Sequence, residues 1–148
     1  MPKRPLLIVC GVLIMLATMT ATSACTQKPE TEYTEPEYTA AITESILQAV
    51  NEGNYAQYAE RFTEEMKQAA TEAAFAEVNT VLKATIGDYV AKEFWKTEVQ
   101  GHYTTVYYKA KFTKEPEDVT VRVVFQEIEG EIYVAGLWFD SPKLRQGS

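Results

Sequence analysis

Residues 119–126, Val-Thr-Val-Arg-Val-Val-Phe-Gln, decide the fold, because apolar side chains stand at every odd position and mostly polar ones at the even positions. This period of two is typical of a β-strand with one face on a core. Residues 106–112 alternate in the same way. The two stretches predict neighbouring strands, joined by a turn over 114–118, Lys-Glu-Pro-Glu-Asp.

Two further strands are predicted around this pair. Residues 132–139 follow the turn signal Glu129-Gly130, and residues 89–99 precede the pair. Four consecutive strands with short links predict an antiparallel sheet.

The first half of the chain has helical spacing instead. It predicts a helix over 38–52 that ends at Gly53, two short helices capped by Asn54 and Thr63, and a longer helix that begins at Thr71. Helices followed by an antiparallel sheet place the domain in the α+β class, with the helices packed on one face of the sheet.

The N-terminus reads as a targeting segment. Lys3 and Arg4 precede an apolar run over 6–19, and small residues follow before Cys25. This order is typical of a signal peptide, here over residues 1–24, and the run is shorter than the ~20 residues of a spanning helix. We expect export.

Residues 22–25, Thr-Ser-Ala-Cys, resemble the lipobox of prokaryotic lipoproteins. The resemblance implies that Cys25 is lipid-modified and anchors the protein to the outer side of the cell membrane. A secreted protein with a free Cys25 and an uncleaved anchor are the alternatives.

Composition divides the rest of the chain. Residues 25–37 carry two prolines and four glutamates and predict a flexible acidic tether. The folded domain is expected over 38–140, followed by a C-terminal tail over 141–148. The formal net charge of −7 argues against nucleic-acid partners, because binding to phosphates depends on Lys and Arg.

Five segments resemble the DUF3887 family of the NTF2-like (cystatin-like) superfamily: Ala49–Tyr55, Phe62–Lys67, Val106–Phe112, Val119–Phe125 and Ala135–Phe139. The resemblance implies a cone, in which a curved four-stranded antiparallel sheet wraps around the helices. It also implies an accessory or binding domain with a pocket and an uncharacterised role.

The sequence carries no catalytic signature. The sequence has no phosphate-binding loop and no nucleophile elbow. Its single histidine, His102, is expected either at the surface or with its hydrogen bonds satisfied by neighbouring groups. Asp88, Asp118 and Asp140 fall at predicted turns or strand ends and are poorly placed for general acid–base work. We expect no catalytic residue, no metal site and no cofactor.

The predicted fourth strand is apolar on both faces, so something is expected to cover its second face. Tyr107, Val124, Leu137 and Phe139 are the predicted outward patch, for a homodimer or another protein partner. The alternative is that residues 141–146 fold back over the patch.

Three functions follow. The leading one is a lipid-anchored extracytoplasmic binding or interaction module without catalytic activity, with a possible small-molecule ligand in the cone. The others are a small enzyme that uses the cone as its active site, and a structural component of the cell envelope. A pocket with convergent ionisable groups favours the enzyme, and a filled cone favours the structural component.

Overall fold

The computed structural model describes residues 33–147, in which four helices precede a four-stranded sheet and one short helix follows it. The elements are α1 (Glu37–Glu52), α2 (Tyr55–Tyr58), α3 (Glu64–Ala69), α4 (Glu72–Thr85), β1 (Tyr89–Gln100), β2 (Tyr103–Phe112), β3 (Glu115–Ile128), β4 (Glu131–Asp140) and α5 (Pro142–Gln146). The predicted α+β class is confirmed.

The predicted helix signals act as expected. Gly53 ends α1 in the left-handed region, with φ of 67°. The side chains of Asn54, Thr63 and Thr71 each accept a hydrogen bond from the backbone N–H three residues on, at 3.2 to 3.3 Å. Such caps satisfy donors that the first helical turn leaves free, so the three short-range signals set where α2, α3 and α4 begin.

The sheet has the order β1-β2-β3-β4 and is antiparallel throughout. Glu129 and Gly130 join β3 to β4 with φ angles of 53° and 82°. Two consecutive positive φ angles are typical of the tight hairpin turns that match the twist of the strands. The predicted turn at these two residues is therefore confirmed.

The predicted turn over 114–118 is wrong. β3 begins at Glu115, and Pro116 lies where the β2–β3 pairing is irregular, next to the pair Phe112 and Glu115. A proline is tolerated there because its missing N–H removes no regular ladder bond. Glu115 is itself buried, so a residue that reads as polar turn belongs to the interior.

The core lies between the helices and the sheet. Val119, Val121, Val123 and Phe125 are all at most 1% exposed, as their alternation predicts. From α1, Leu47 belongs to the same core and is fully buried. Burial of apolar surface on this scale is the main favourable term in folding.

A β-bulge in β4 reverses the alternation along that strand. Val124 pairs with Gly136, but the next residue, Phe125, pairs with Val134, so Ala135 is an extra residue. Residues opposite each other in a sheet share a face, and one extra residue moves all later side chains to the other face. Leu137 and Phe139 therefore lie on the helix side of the sheet.

The free edge of β4 is partly covered by the link between α2 and α3. The Val134 N–H donates to the Arg61 carbonyl (2.6 Å), and the Thr63 N–H donates to the Val134 carbonyl (3.0 Å). These bonds satisfy backbone groups that an edge strand otherwise exposes. They also fix α3 beside β4.

Candidate functional site

An apolar cleft with a volume of about 460 Å³ opens between α3 and α4 on one side and β4 and α5 on the other. We call it the α4–β4 cleft. Its lining is aliphatic and aromatic for the most part: Tyr58, Met66, Ala69, Ala70, Ala74, Phe75, Val78, Val81, Leu82, Thr85, Leu137, Trp138, Phe139, Leu144 and Gly147.

Helix α4 supplies both the inner wall and the rim of the cleft. Phe75 and Leu82 are buried, whereas Val78 and Val81 are 48% and 57% exposed. A helix with one apolar stripe would hide its valines against the core. Here the stripe is wider than the core needs, and the extra valines border the opening.

The bulge at Ala135 completes the opposite wall. It turns Leu137 and Phe139 toward the helices, where both pack against the core and line the cleft. Without the bulge these two side chains would lie on the outer face of the sheet. The cleft therefore depends on one extra residue in β4.

Helix α5 is attached to the sheet by the buried carboxylate of Glu115. This carboxylate accepts the backbone N–H groups of Lys143 (3.1 Å) and Glu117 (3.3 Å). Burial opposes ionisation, but these bonds and one from Ser141 outweigh it and lower the pKa of Glu115. The attachment holds Leu144 against the core, where it lines the cleft.

Among the described residues that line the cleft, Tyr58 alone can ionise, and it is 7% exposed. Burial, with a smaller effect of Tyr55, raises the pKa of Tyr58 to about 12, so its hydroxyl stays neutral. The hydroxyl makes no hydrogen bond to any residue of the 33–147 range. Because a hydroxyl both donates and accepts hydrogen bonds, it is available to a polar group of a ligand in the cleft.

A second candidate site, which is polar, lies between α1 and the first two strands. Tyr89 donates a hydrogen bond to Glu44 Oε2 (2.7 Å), and Lys92 Nζ lies 3.3 Å from the same oxygen. Nearby, Tyr108 donates to Glu35 Oε1 (2.6 Å), and Lys92 Nζ lies 5.1 Å from the centre of the Tyr108 ring. We call these five residues the Glu–Tyr cluster.

The ionisation of the Glu–Tyr cluster is poorly matched to catalysis at neutral pH. Burial raises the pKa of Tyr89 and of Tyr108, and the carboxylate partner of each adds to the effect. At Glu44 burial is outweighed by hydrogen bonds, chiefly from Tyr89, so the pKa of Glu44 is lowered. A general acid or base works best with a pKa near the working pH, and these shifts lead away from it.

Of the four residues that the sequence places at the surface, in turns or at strand ends, three lie as predicted and Asp118 does not. His102 is exposed in the β1–β2 turn. Asp88 pairs with Lys83 (3.0 Å) and Asp140 with Arg145 (2.6 Å). Asp118 lies within β3, not in a turn, and pairs with Lys111. Among the described residues, no three of the His, Cys, Asp and Glu side chains are grouped to hold a metal ion.

The predicted outward patch does not form one surface. Tyr107 and Val124 lie on the outer face of the sheet, away from the helices. Leu137 and Phe139 lie on the helix side because of the bulge at Ala135. Residues 141–146 do not cover the outer face either, since Leu144 of α5 packs into the α4–β4 cleft. A partner on the outer face stays a prediction.

Cys25, the signal peptide over 1–24 and most of the predicted tether lie outside the described residues. Within residues 33–147, no helix is both long enough and apolar enough to cross a membrane.

Helices on one side of an open four-stranded antiparallel sheet, with an apolar cleft at the edge strand, define a small α+β domain. The chain belongs to the family described as protein of unknown function (DUF3887), whose model matches residues 43–132. The family predicted from the five sequence segments is thus confirmed. No curated protein matches the chain.

Three solved structures are similar to the chain. A SEC-C motif-containing protein from Rhodopseudomonas palustris has 17% identity and a TM-score of 0.49, with 66% of this chain and 75% of that chain covered. A putative polyketide cyclase from Sinorhizobium meliloti has 17% identity and a TM-score of 0.43, with coverages of 68% and 94%. An NTF2-like protein of unknown function from Cytophaga hutchinsonii has 16% identity and a TM-score of 0.37, with coverages of 78% and 98%.

Proposed function

We propose that this protein is a non-catalytic binding module that holds a small apolar ligand in the α4–β4 cleft, and that it is exported and anchored by lipid on Cys25. The main observation that supports a ligand site is the apolar cleft itself. Its volume of about 460 Å³ is in the ~300–1,000 Å³ range of small-molecule sites, which are mostly apolar with a few polar groups. Tyr58 provides one such polar group.

Binding is better supported than catalysis because the described residues that line the cleft offer no reactive side chain. Among them only the Tyr58 hydroxyl can ionise, and burial raises its pKa to about 12, so it holds its proton at neutral pH. The ionisable groups that do converge, in the Glu–Tyr cluster, line no part of the cleft. An enzyme of this fold would need an acid or base beside its substrate.

A purely structural envelope component is also less well supported. Such a protein gains nothing from an apolar cleft that is open to water, since apolar surface left in water forgoes the favourable free energy of burial. Exposed valines at the rim carry a further cost in water, which a ligand would offset. The open cleft with its apolar rim therefore favours a ligand over a filled scaffold.

The anchor rests on the sequence of residues 1–25 and has its own test. Mass spectrometry of the chain purified from membranes of a bacterial host should find an N-terminus at Cys25 that carries lipid. The Cys25→Ser variant should leave the membrane fraction. An N-terminus elsewhere, or membrane attachment that survives Cys25→Ser, would contradict the anchor without affecting the ligand site.

Fluorescence titration with N-phenyl-1-naphthylamine, a neutral apolar probe, tests the ligand site. The full chain should bind the probe in a saturable way with enhanced emission. Val81→Asp places a charge at the rim and should weaken binding by roughly tenfold or more, since a charge in an apolar site costs more than 1.4 kcal/mol.

Val99→Asp is the matched control for this titration. Val99 is 72% exposed on β1 and lines no part of the cleft. This variant should bind the probe like the unaltered chain. Equal loss in both variants, or no saturable binding at all, would contradict the proposed ligand site.

A further inference from the structure

The free edge of β4 is covered in its first half and open in its second. At Val134 the link between α2 and α3 forms a parallel β-bridge through Phe62. Beyond the bulge, no backbone group of a helix or loop within residues 33–147 bonds to the edge over residues 136–139. We call this stretch of β4 the open edge.

The backbone N–H and C=O groups of Leu137 and Phe139 point to the open edge. Along one strand, residues whose side chains share a face also direct their backbone groups to the same edge, because both alternate with a period of two. Val134 lies on the helix side, and its backbone groups bond to Arg61 and Thr63, away from β3. Leu137 and Phe139 also lie on the helix side, because the bulge shifts both alternations together. Each therefore offers a donor and an acceptor that the sheet leaves unpaired.

The α4–β4 cleft reaches the open edge. Leu137, Trp138 and Phe139 all line the cleft, although the Trp138 side chain lies on the opposite face of the sheet from the other two. Consecutive residues of a strand point to opposite faces, so they border one cavity where that cavity extends around the edge of the strand. The unpaired backbone groups of β4 therefore lie at the boundary of the apolar cleft.

The other edge strand, β1, has features that prevent pairing with a further strand. Its pairing with β2 shifts register twice. Four of its residues are charged: Lys92, Glu93, Lys96 and Glu98. Bulges and charges of this kind protect an edge. The open edge of β4 has neither, because its residues are Gly, Leu, Trp and Phe and they pair with β3 without a shift. An uncharged, regular edge beside an apolar cleft indicates a place for another strand.

We propose that the α4–β4 cleft binds an extended peptide, which pairs antiparallel with the open edge and places apolar side chains at every second position into the cleft. The inference rests on the proposed function and specifies the chemical class of its ligand. Antiparallel pairing is the more stable arrangement per residue. Peptide residues opposite Leu137 and Phe139 then exchange N–H···O bonds with them, and their side chains lie on the helix side, between β4 and α4.

Other ligands leave the open edge unpaired or do not fit. A helix has its backbone groups bonded internally, so it leaves those of Leu137 and Phe139 without partners. A small apolar molecule fills the cleft but carries no donors and acceptors at strand spacing. In a two-fold pair of β4 strands, both copies of α4 would lie over one junction, and the cleft of about 460 Å³ has no room for a second helix. An extended peptide satisfies both the cleft and the edge.

Amide hydrogen exchange of the full chain with the peptide acetyl-Thr-Leu-Thr-Leu-Thr-amide tests the proposal. A saturating amount of peptide should slow exchange at Leu137 and Phe139 by at least roughly fivefold, because their N–H groups become bonded. The Trp138 N–H already points to β3, so its exchange should stay unchanged, as should exchange in β1. N-phenyl-1-naphthylamine has no carbonyl to accept these N–H groups and should slow their exchange by less than about twofold.

Methylation of the peptide backbone provides matched controls. N-methyl groups on both leucines remove the donors that face β4, whereas N-methyl groups on the last two threonines remove donors that face away from it. Affinity is measured by displacement of N-phenyl-1-naphthylamine. The first peptide should bind at least roughly tenfold more weakly than the unmethylated peptide, and the second within about threefold of it. Both keep the same apolar side chains, so the difference between them reports backbone pairing.

Three results would overturn the peptide proposal and leave the proposed ligand site intact. They are equal affinity of the two methylated peptides, peptide binding without slower exchange at Leu137 and Phe139, and saturable binding of N-phenyl-1-naphthylamine without any binding of the peptide. A dimer by sedimentation in which these two amides are protected without peptide would also overturn it, because a second copy would then occupy the open edge. Absence of saturable probe binding would contradict the proposed function itself.

Discussion

Trp138 occupies the space that a side chain at Gly136 would need. An ideal Cβ built on Gly136 would lie 2.2 Å from the Trp138 ring, far inside van der Waals contact. Both residues lie on the outer face of β4, two positions apart and beyond the bulge at Ala135. Gly136 is therefore required by the resting position of the indole, which the Arg122 guanidinium also contacts.

Gly136→Ala should displace Trp138. Because the new methyl group overlaps the ring, we expect a changed Trp138 emission and a loss of about 1–3 kcal/mol in the free energy of unfolding. Both are measured by fluorescence during denaturant unfolding, in a Trp95→Phe background. In a Trp138→Ala background, the added Gly136→Ala should cost little. Equal costs in the two backgrounds would contradict the contact.

Asn51→Asp should destabilise the domain because one amide side chain closes two hydrogen bonds to the start of β1. Asn51 Nδ2 donates to the Tyr89 carbonyl, and the Tyr89 N–H donates to Asn51 Oδ1, both at 2.8 Å. Aspartate keeps the acceptor but places a second oxygen against the Tyr89 carbonyl. We therefore expect the free energy of unfolding, measured by chemical denaturation at pH 7, to fall by about 1–3 kcal/mol.

Asn54→Asp is the matched control. The Asn54 side chain accepts the Gln57 N–H as the cap of α2, and aspartate caps a helix equally well. This variant should keep the stability of the unaltered chain within about 0.5 kcal/mol. Equal effects at positions 51 and 54 would mean that the Asn51 amide does not hold β1.

Glu115→Gln should loosen α5. The neutral amide is a weaker acceptor than a carboxylate for the backbone N–H groups of Lys143 and Glu117. Amide hydrogen exchange should become faster at these two residues. Exchange in β2 should stay unchanged and serves as the internal reference. Unchanged exchange at Lys143 would contradict the proposed attachment.

Stability should also fall in acid. The pKa values of Glu115 and Glu44 are lowered in the folded protein from an ordinary value of 4.5. The unfolded chain therefore binds more protons, and the stability from these groups is complete above about pH 4.5 and is lost as the pH falls through the folded values. Urea unfolding between pH 3 and 7 should show this loss, and Glu115→Gln should flatten it. A profile that Glu115→Gln leaves unchanged would remove Glu115 as a cause.

The fold could be predicted from sequence to a large extent, because its signals are local. Three helix caps, Gly53 and the turn at Glu129-Gly130 act through neighbouring residues, and the alternation over 119–126 decides which face of β3 is buried. The errors come from long-range structure. Glu115 reads as turn, yet it is buried because it binds the backbone of α5, more than 25 residues away.

The candidate site could be predicted much less well, because it depends on one extra residue. Strict alternation puts Leu137 and Phe139 outside, and the bulge at Ala135 puts them inside. No local signal marks this bulge, since the small side chain of Ala135 is tolerated on either face of the sheet. Helix α4 carries one clue in its sequence. Val78 and Val81 make its apolar face wider than packing against the core requires, which indicates that α4 has a second apolar contact.

The most direct test of the account is to map where an apolar ligand binds. Backbone amide chemical shifts of the full chain would be recorded as N-phenyl-1-naphthylamine is added. We expect saturable shifts concentrated in α4, β4 and α5, around Val78, Val81 and Leu144. Shifts centred on Lys96, Tyr107 and Arg122 on the outer face of the sheet or on the Glu–Tyr cluster, or no saturable shifts, would contradict a ligand site in the α4–β4 cleft.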